Sequence, residues 1–376
     1  MKETAIYIHI PFCDHKCIYC DFYSIVSYEN THAYLEKLCR EIEFHAKTFS
    51  DDRKIFSIFF GGGTPSFMEP EYLRQIINHV KNKFNVANDA EITMETNPGT
   101  VSKEKLIEFK KAGINRISIG IQSFDKKELE FLTRIHDAET AIKTVNDASE
   151  IFENISIDLI FNLPGQTKQK WLNNLKTAVD LPIKHISAYS LILEHGTILN
   201  KMVLDGKVKM QDEDYDAELY EMTIDFLAKK GFEQYEVSNF TKPGFECVHN
   251  LAYWRYKDYL GFGTSSHSFV NNKRSWNFSS VRFYNEAVEK NGNGIAGFED
   301  LNETQKLNEY VMLALRSWGI DLIELKKMFG SNFVENNKQK IEKLIENGFI
   351  KKENSVLKLT PAGYAVCDEI IANLQV

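Results

Sequence analysis

Three cysteines close together near the N-terminus are the residues of this chain best suited to chemistry. Cys13, Cys17 and Cys20 are spaced four and three positions apart and follow the strand-like run 5–10. A compact loop with this spacing can place three thiolates on one iron–sulfur cluster, and a four-iron cubane then keeps one iron free for a ligand that is not protein. A zinc site is the alternative, because His15 lies inside the loop and structural zinc normally takes four protein ligands.

Polar side chains stand at the ends of later strand-like runs. Glu95 offers a carboxylate for ribose hydroxyls or an ammonium group, and Gln122 offers an amide that both donates and accepts. Arg134 carries a guanidinium that can bind a carboxylate, and Asp158 is an acid inside an apolar strand, which is costly unless the acid is paired. Each residue has a structural alternative: a paired acid for Glu95 and Asp158, a cap for Gln122 and a surface helix position for Arg134.

A glycine-rich turn, Gly61-Gly62-Gly63-Thr64, ends the second strand-like run. Consecutive glycines let the backbone come close to a ligand and expose its N–H and C=O groups. Gly62, Gly63 and Thr64 are therefore candidate ligand contacts, and a plain tight turn is the alternative.

The CxxxCxxC loop after a first strand, followed by GGGTP, resembles the radical S-adenosylmethionine (SAM) superfamily. That resemblance implies a [4Fe–4S] cluster on Cys13, Cys17 and Cys20 whose open iron chelates the methionine amino and carboxylate groups of SAM. In the superfamily, one-electron reduction then cleaves SAM to a 5′-deoxyadenosyl radical. The segment matching GGGTP, here Gly62 to Thr64, contacts the SAM amino group.

The order of Glu95, Gln122, Arg134 and Asp158 resembles the HemN-like family of anaerobic coproporphyrinogen III oxidases, in which the matching positions bind SAM. Two tyrosines match aromatic or SAM-contacting positions of the same family. Tyr19 lies inside the cysteine loop and can pack on adenine. For Tyr7, a half-buried strand residue is an equally good interpretation.

The segment His249-Asn250-Leu251-Ala252-Tyr253-Trp254 resembles the HNxxYW motif of the HemW-type subgroup, which binds haem. His249 is a possible iron ligand, and Tyr253 and Trp254 offer flat surfaces for a porphyrin. An aromatic pair that closes the open side of the barrel is the alternative interpretation.

Two departures from the decarboxylating enzyme also point to this subgroup. The enzyme has a fourth cysteine where this chain has Phe22, and the first cluster cysteine is already residue 13, which leaves no room for the enzyme's N-terminal extension. The resemblance implies a haem chaperone with a cluster and SAM that delivers haem to acceptor proteins. An oxygen-independent coproporphyrinogen III oxidase and a radical SAM enzyme acting on RNA or another substrate stay open, so whether the chain is an enzyme is undecided.

Alternating strand and helix patterns predict an α/β fold. Strands are predicted at 5–9, 57–60, 91–95, 116–121, 156–159 and 185–193, with helices between them and at 212–230. Six βα units are too few for a complete eight-stranded barrel, so we expect a partial (β/α)6 barrel, in agreement with the resemblance. Ligands of such a sheet bind at the carboxyl ends of the strands.

The remaining chain predicts two further parts. We expect the radical SAM core at 1–240, a haem-motif region with a linker at 241–298, and a HemN-like C-terminal α+β domain at 299–376. A further strand is predicted at 234–240, and the linker is predicted at 291–297. Helices at 302–315, 321–328 and 332–347 plus a hairpin predict a winged-helix-like module. Residues 301–376 hold ten basic and ten acidic residues, which argues against DNA as a partner.

Composition limits the remaining partners and the location. The net charge of −8 disfavours nucleic acid and anionic membranes, and neither a secretion signal nor a membrane-spanning run is visible. Six cysteines, three of them clustered, fit a reducing cytoplasm. The resemblance also implies an electron donor such as a flavodoxin or ferredoxin, and allows membrane-associated haem acceptors.

Overall fold

A computed structural model describes residues 1–27, 29–330 and 332–374. The first half alternates strands and helices as predicted. Its elements are β1 Lys2–Ile10, α1 Thr31–Phe49, β2 Arg53–Gly62, α2 Pro70–Lys83, β3 Asn85–Thr96, α3 Lys103–Ala112, β4 Arg116–Gln122, α4 Lys126–Phe131, α5 Ala138–Ser149, β5 Asn154–Phe161, α6 Lys168–Val179 and β6 His185–Ser190.

Strands β1 to β6 pair in parallel and in chain order, which makes a curved six-stranded sheet with its helices on the outside. The partial (β/α)6 fold predicted from the sequence is confirmed. Aliphatic side chains of the strands and the inner helix faces form the main hydrophobic core. Trp171 of α6 is fully buried in it, and its Nε1–H donates to the Thr223 hydroxyl at 2.7 Å.

The second half extends both edges of this sheet. Its elements are α7 Ile198–Leu204, α8 Glu213–Lys229, β7 Glu233–Glu236, β8 Asn239–Thr241, α9 Val248–Trp254, β9 Tyr259–Phe262, β10 His267–Val270, β11 Lys273–Asn277, α10 Val281–Asn291 and β12 Ile295–Asp300. β8 and β7 follow β6 at one edge, and β9 to β12 follow β1 at the other, so the sheet has twelve strands among the described residues.

Three local predictions between residues 185 and 297 were wrong. The strand predicted at 185–193 ends at Ser190: the Leu191 N–H still bonds the Phe161 carbonyl, but β5 itself ends at Phe161 and offers no further partner. The strand predicted at 234–240 is a tight hairpin, β7 and β8. The linker predicted at 291–297 is the end of α10 and the start of β12, which pairs with β11.

A smaller α+β domain with its own hydrophobic core ends the chain. The helix predicted at 332–347 is interrupted at Asn337, whose side-chain amide donates to the Phe333 carbonyl at 3.1 Å. The elements are α11 Glu303–Leu315, β13 Ile320–Asp321, α12 Leu322–Phe329, α13 Asn332–Asn336, α14 Lys338–Glu346, β14 Ile350–Glu353, β15 Val356–Leu359, α15 Pro361–Ala365 and α16 Cys367–Leu374.

Within the described ranges, no helix combines the length and the apolar character that crossing a bilayer requires.

Candidate functional site

The cysteine loop lies at the carboxyl end of β1 and is fixed to its neighbours by backbone hydrogen bonds. The Cys13 N–H donates to the Ile25 carbonyl at 3.0 Å, and the Leu199 N–H of α7 donates to the Ile18 carbonyl at 2.9 Å. Cys13 is buried and Cys17 is half-buried. All three cysteines line one cavity of about 390 Å³ at the carboxyl end of the parallel strands.

Two of the three thiols lie where burial disfavours a free thiolate. Burial raises the pKa of the Cys13 thiol and raises that of Cys20 to about 11, where the Phe22 backbone hydrogen-bonds the sulfur. A bound metal would supply the positive charge that lets such thiols ionise at neutral pH. His15 contacts the Thr133 hydroxyl at 3.4 Å instead of joining the cysteines. In the described part of the chain, no group of three His, Cys, Asp or Glu side chains is placed so that it could hold a single metal ion.

The glycine-rich turn packs directly against the cysteine loop. The Gly63 N–H donates to the Ile10 carbonyl at 2.7 Å and the Thr64 N–H donates to the Phe12 carbonyl at 2.8 Å. A Cβ at Gly63 would lie 2.7 Å from the Phe12 oxygen and 3.0 Å from the Cys13 sulfur, so only glycine fits there. The turn therefore brings Gly63 and Thr64 to the cysteines and holds the loop in place, and their contact with SAM stays a prediction.

Two carboxyl groups form the inner wall of the cavity. Glu95 accepts a hydrogen bond from the Gly62 N–H at 3.2 Å, and burial together with the nearby Asp158 raises its pKa to about 8. Asp158 accepts from the Ser118 hydroxyl at 3.0 Å, and burial raises its pKa. Both side chains line the cavity, so each is placed to bind hydroxyl or ammonium groups of a ligand.

Arg134 also lines the cavity and is held by three partners. Its Nη2 donates to the Asn97 Oδ1 at 2.8 Å and to the Gly120 carbonyl at 2.7 Å, and its Nη1 lies 3.6 Å from the Cys17 sulfur. One side of the guanidinium is thus engaged by the protein, and its contact with SAM stays a prediction. Asn97 was not among the predicted site residues, although its position two residues after Glu95 at a strand end could have identified it.

Gln122 ends β4 with a left-handed φ of 70°. Its side chain folds back over Gly120, where a Cβ would lie 2.9 Å from the Gln122 Nε2 and 3.1 Å from the Asn97 Oδ1. Tyr19 lines the same cavity. The cavity thus gathers residues from the cysteine loop and from the ends of β2 to β5, as expected for parallel strands.

Tyr7 lines a second, neighbouring cavity of about 170 Å³ and not the first. Its hydroxyl is 3.1 Å from the His9 Nδ1, and its ring stacks on Phe59 with a centroid distance of 6.3 Å. Glu95 and Asp158 border both cavities, so the two are neighbours inside the barrel.

His249 is buried at the floor of the barrel with both ring nitrogens occupied. Its Nδ1 is 3.1 Å from the Ser57 hydroxyl and its Nε2 is 2.8 Å from the Tyr253 hydroxyl. Burial lowers its pKa to about 3, so the ring is neutral. The Glu91 carboxylate accepts from the His249 N–H at 3.1 Å and caps α9. Trp254 is half-buried and lines neither the first nor the second cavity.

Two family models and several known proteins match this sequence. The model of the Radical SAM superfamily matches residues 7–178, and the model of the HemN C-terminal domain matches residues 301–366. The protein named Heme chaperone HemW of Bacillus subtilis is 35% identical over 372 residues, which are 97% of each chain. The chain belongs to the HemW family of the radical SAM superfamily.

Two further relatives come from other organisms. The Heme chaperone HemW of Escherichia coli is 35% identical over 280 residues, 72% of this chain and 71% of that one. A bovine relative, the mitochondrial Radical S-adenosyl methionine domain-containing protein 1, is 32% identical over 395 residues, 99% of this chain and 87% of its own.

The fold also matches a solved enzyme. The structure of coproporphyrinogen III oxidase HemN from Escherichia coli covers 100% of this chain and 90% of its own length, with a TM-score of 0.84 and 23% identity. At that identity the match establishes the fold alone. Membership of the radical SAM superfamily implies the [4Fe–4S] cluster and SAM, and the thiols, the tight Gly63 contact and the polar cavity wall fit both.

Proposed function

We propose that this HemW family member is a haem chaperone that carries a [4Fe–4S] cluster and SAM and delivers haem to acceptor proteins. The observation that carries the proposal is whole-length identity of 32–35% with relatives named Heme chaperone HemW. Phe22 also supports the proposal. Its exposed side chain lines the cavity, and the decarboxylating enzyme has a further cysteine at this position.

In the first cavity, Cys13, Cys17 and Cys20 would hold the cluster, and the SAM contacts are proposed for Tyr19, Gly62, Gly63, Thr64, Glu95, Gln122, Arg134 and Asp158. Tyr7 would act from the neighbouring cavity. When bound, the cluster and SAM would together supply the one-electron chemistry of the radical SAM superfamily. Because its pKa is about 8, Glu95 is largely protonated at neutral pH and can donate to a ribose oxygen or ionise beside a cation.

Haem is proposed to bind near His249, Tyr253 and Trp254. The second cavity, at about 170 Å³, is smaller than the ~300–1,000 Å³ typical of sites for drug-sized ligands, so α9 must move before a porphyrin can reach His249. The Nε2 of His249 must also leave the Tyr253 hydroxyl before it can bind iron. Haem affinity is therefore set partly by the strength of this hydrogen bond.

Haem titration of the purified protein, followed by the Soret band, tests the proposal. We expect a shifted Soret band with the parent protein and its loss with His249→Ala. Tyr253→Phe is expected to bind haem more tightly by roughly threefold to tenfold, because it removes a competing hydrogen bond of ~1 kcal/mol.

His45→Ala is the matched control for this titration. His45 of α1 is also a buried histidine whose pKa burial lowers to about 4, but it stacks on Phe49 at a centroid distance of 6.1 Å and lines neither the first nor the second cavity. We expect it to keep the Soret shift. Equal haem binding by parent and His249→Ala would refute the ligand assignment, and no specific binding by the parent would refute the chaperone proposal.

The alternative is an oxygen-independent coproporphyrinogen III oxidase. Anaerobic incubation with a reductant, SAM and coproporphyrinogen III distinguishes the two, since only the oxidase forms protoporphyrinogen IX. The proposed partners are haem, haem-acceptor proteins, some of them membrane-associated, and a flavodoxin or ferredoxin as electron donor. The proposed location is the cytoplasm.

A further inference from the structure

Two of the cluster cysteines are joined by an unbroken chain of side-chain hydrogen bonds. The Cys13 sulfur lies 3.4 Å from the Thr64 Oγ1, and the Thr64 Oγ1 lies 3.0 Å from the Asn97 Nδ2. The Asn97 Oδ1 accepts from the Arg134 Nη2 at 2.8 Å, and the Arg134 Nη1 lies 3.6 Å from the Cys17 sulfur. We call these three linking residues, Thr64, Asn97 and Arg134, the relay.

The direction of every hydrogen bond in the relay follows from the chemistry of its groups. A guanidinium only donates, so the Asn97 oxygen must face Arg134 and the Asn97 amide nitrogen must face Thr64. The Thr64 oxygen then accepts from Asn97, which leaves its own hydrogen for the Cys13 sulfur. A thiolate bound to iron only accepts, so both ends of the relay donate to sulfur.

Asn97 sets this arrangement, because its side chain hydrogen-bonds both donors, Thr64 and Arg134. Its own backbone is fixed as well, since its carbonyl accepts from the Thr100 hydroxyl at 2.7 Å. Arg134 is further anchored by the Gly120 carbonyl at 2.7 Å. Without the Asn97 amide, the Thr64 hydroxyl is free to rotate and the Arg134 Nη2 loses one of its two acceptors.

We propose that Asn97 is a positioning residue that aims the Thr64 hydroxyl and the Arg134 guanidinium at the thiolates of Cys13 and Cys17 and thereby raises the reduction potential of the cluster. The reduced cluster carries one more negative charge than the oxidised one, so donors to its sulfurs stabilise the reduced form more. The inference rests on the cluster that superfamily membership implies and is independent of haem.

The test is a redox titration of the reconstituted holoprotein without SAM, monitored by electron paramagnetic resonance. For Asn97→Ala, the ratio of reduced to oxidised cluster at a fixed potential is expected to fall by about tenfold, a shift of about 59 mV for one electron. Thr64→Val keeps the side-chain shape and removes both the donor to Cys13 and the acceptor of the Asn97 amide, but it leaves the Asn97–Arg134 hydrogen bond in place, so it should give a smaller shift in the same direction.

Asn115→Ala is the matched control. The Asn115 side chain also makes two hydrogen bonds, to the Ile92 N–H and the Ala90 carbonyl, both at 2.8 Å, but it has no link to a cysteine. It should leave the cluster potential unchanged. An unchanged potential in both Asn97→Ala and Thr64→Val, or an equal shift in Asn115→Ala, would overturn the proposal.

Two further outcomes are separable. If Asn97→Ala does not assemble a cluster, the isosteric Thr64→Val decides by the same measurement. A parent protein without any cluster signal would overturn the cluster assignment itself, whereas failed haem binding would leave the relay untouched.

Discussion

At the scale of residues, the site depends on how closely the backbone can approach the cysteine sulfurs. Gly63 shows this best, since a Cβ there would meet both the Phe12 carbonyl oxygen and the Cys13 sulfur. The same cavity stores two acids whose pKa values are raised by burial, Glu95 and Asp158. Buried acids with strongly shifted pKa values are typical of functional sites.

The cysteines make the first prediction at this scale. Replacing Cys13, Cys17 or Cys20 by alanine should abolish the cluster, because each is expected to hold one iron. The measurement is the visible absorbance and the iron and sulfide content after anaerobic reconstitution. Cys39→Ala is the control, since Cys39 lies on α1 away from the cavity and should leave the cluster intact. A complete cubane in Cys17→Ala would contradict the assignment.

At the scale of elements, one buried acid attaches the added strands to the barrel. Glu41 of α1 accepts hydrogen bonds from the Gly263 N–H at 2.8 Å, the Asn277 side chain at 2.8 Å, the Tyr284 hydroxyl at 2.8 Å and the Gly294 N–H at 3.1 Å. These donors come from the β9–β10 turn, β11, α10 and the segment before β12. The acid therefore explains how strands β9 to β12 stay attached to a helix of the core.

Glu41 gives a prediction about pH. Burial raises its pKa to about 6 from the ordinary 4.5 of a glutamate, so its contribution to stability is complete below about 4.5 and is lost as pH rises through about 6. Relative to Glu41→Gln, which cannot ionise, the parent should therefore gain about 2 kcal/mol of unfolding free energy between pH 7 and pH 4.5. Denaturant unfolding of both proteins at several pH values measures the difference.

Glu43→Gln on the same helix is the control for this prediction. The exposed Glu43 carboxylate binds Lys83, which lowers its pKa, so its contribution to stability is lost as pH falls. The two glutamates should thus show pH dependences of opposite sign. A parent and a Glu41→Gln variant with parallel pH profiles would show that Glu41 does not titrate in the folded protein.

At the scale of the whole molecule, the C-terminal domain is joined to the barrel through a few specific contacts. The Arg255 guanidinium lies 3.8 Å from the centroid of the Trp318 ring, and the Tyr256 hydroxyl donates to Glu309 at 3.0 Å. Both Arg255 and Tyr256 directly follow α9, the helix that carries His249. Movement of α9 to admit haem would therefore disturb the contact between the domains.

Trp318→Ala should weaken this contact by ~1 kcal/mol or more, because it removes a cation–π pair and half-buried aromatic surface. The expected result is faster proteolysis between the domains and a lower unfolding midpoint. Phe298→Ala is the control, since Lys273 lies 3.9 Å from that ring but both residues belong to the extended sheet. Equal protease sensitivity of the two variants would exclude a specific role for Trp318.

The α/β class, the six parallel strands and the family could all be predicted from the amino-acid sequence. Period and turn signals are local, so they locate the strands, and the carboxyl ends of parallel strands must meet at one edge. That geometry is why residues as distant in sequence as Cys13 and Asp158 line one cavity. The cysteine spacing and the HNxxYW segment then identified the family without any knowledge of contacts.

The hydrogen-bond partners of these residues, in contrast, could be identified only in the folded chain. Asn97 and Arg134 are 37 residues apart, Arg134 and Cys17 are 117 apart, and Glu91 and His249 are 158 apart. No local pattern encodes such pairs. Residues 291–297 are a second example. This glycine-containing stretch favours a linker in the sequence, but from Ile295 onward it forms the edge strand β12, because β11 offers free backbone groups for pairing. Long-range hydrogen bonding, which depends on the packed chain, therefore determined the relay, the buried state of His249 and the extended sheet.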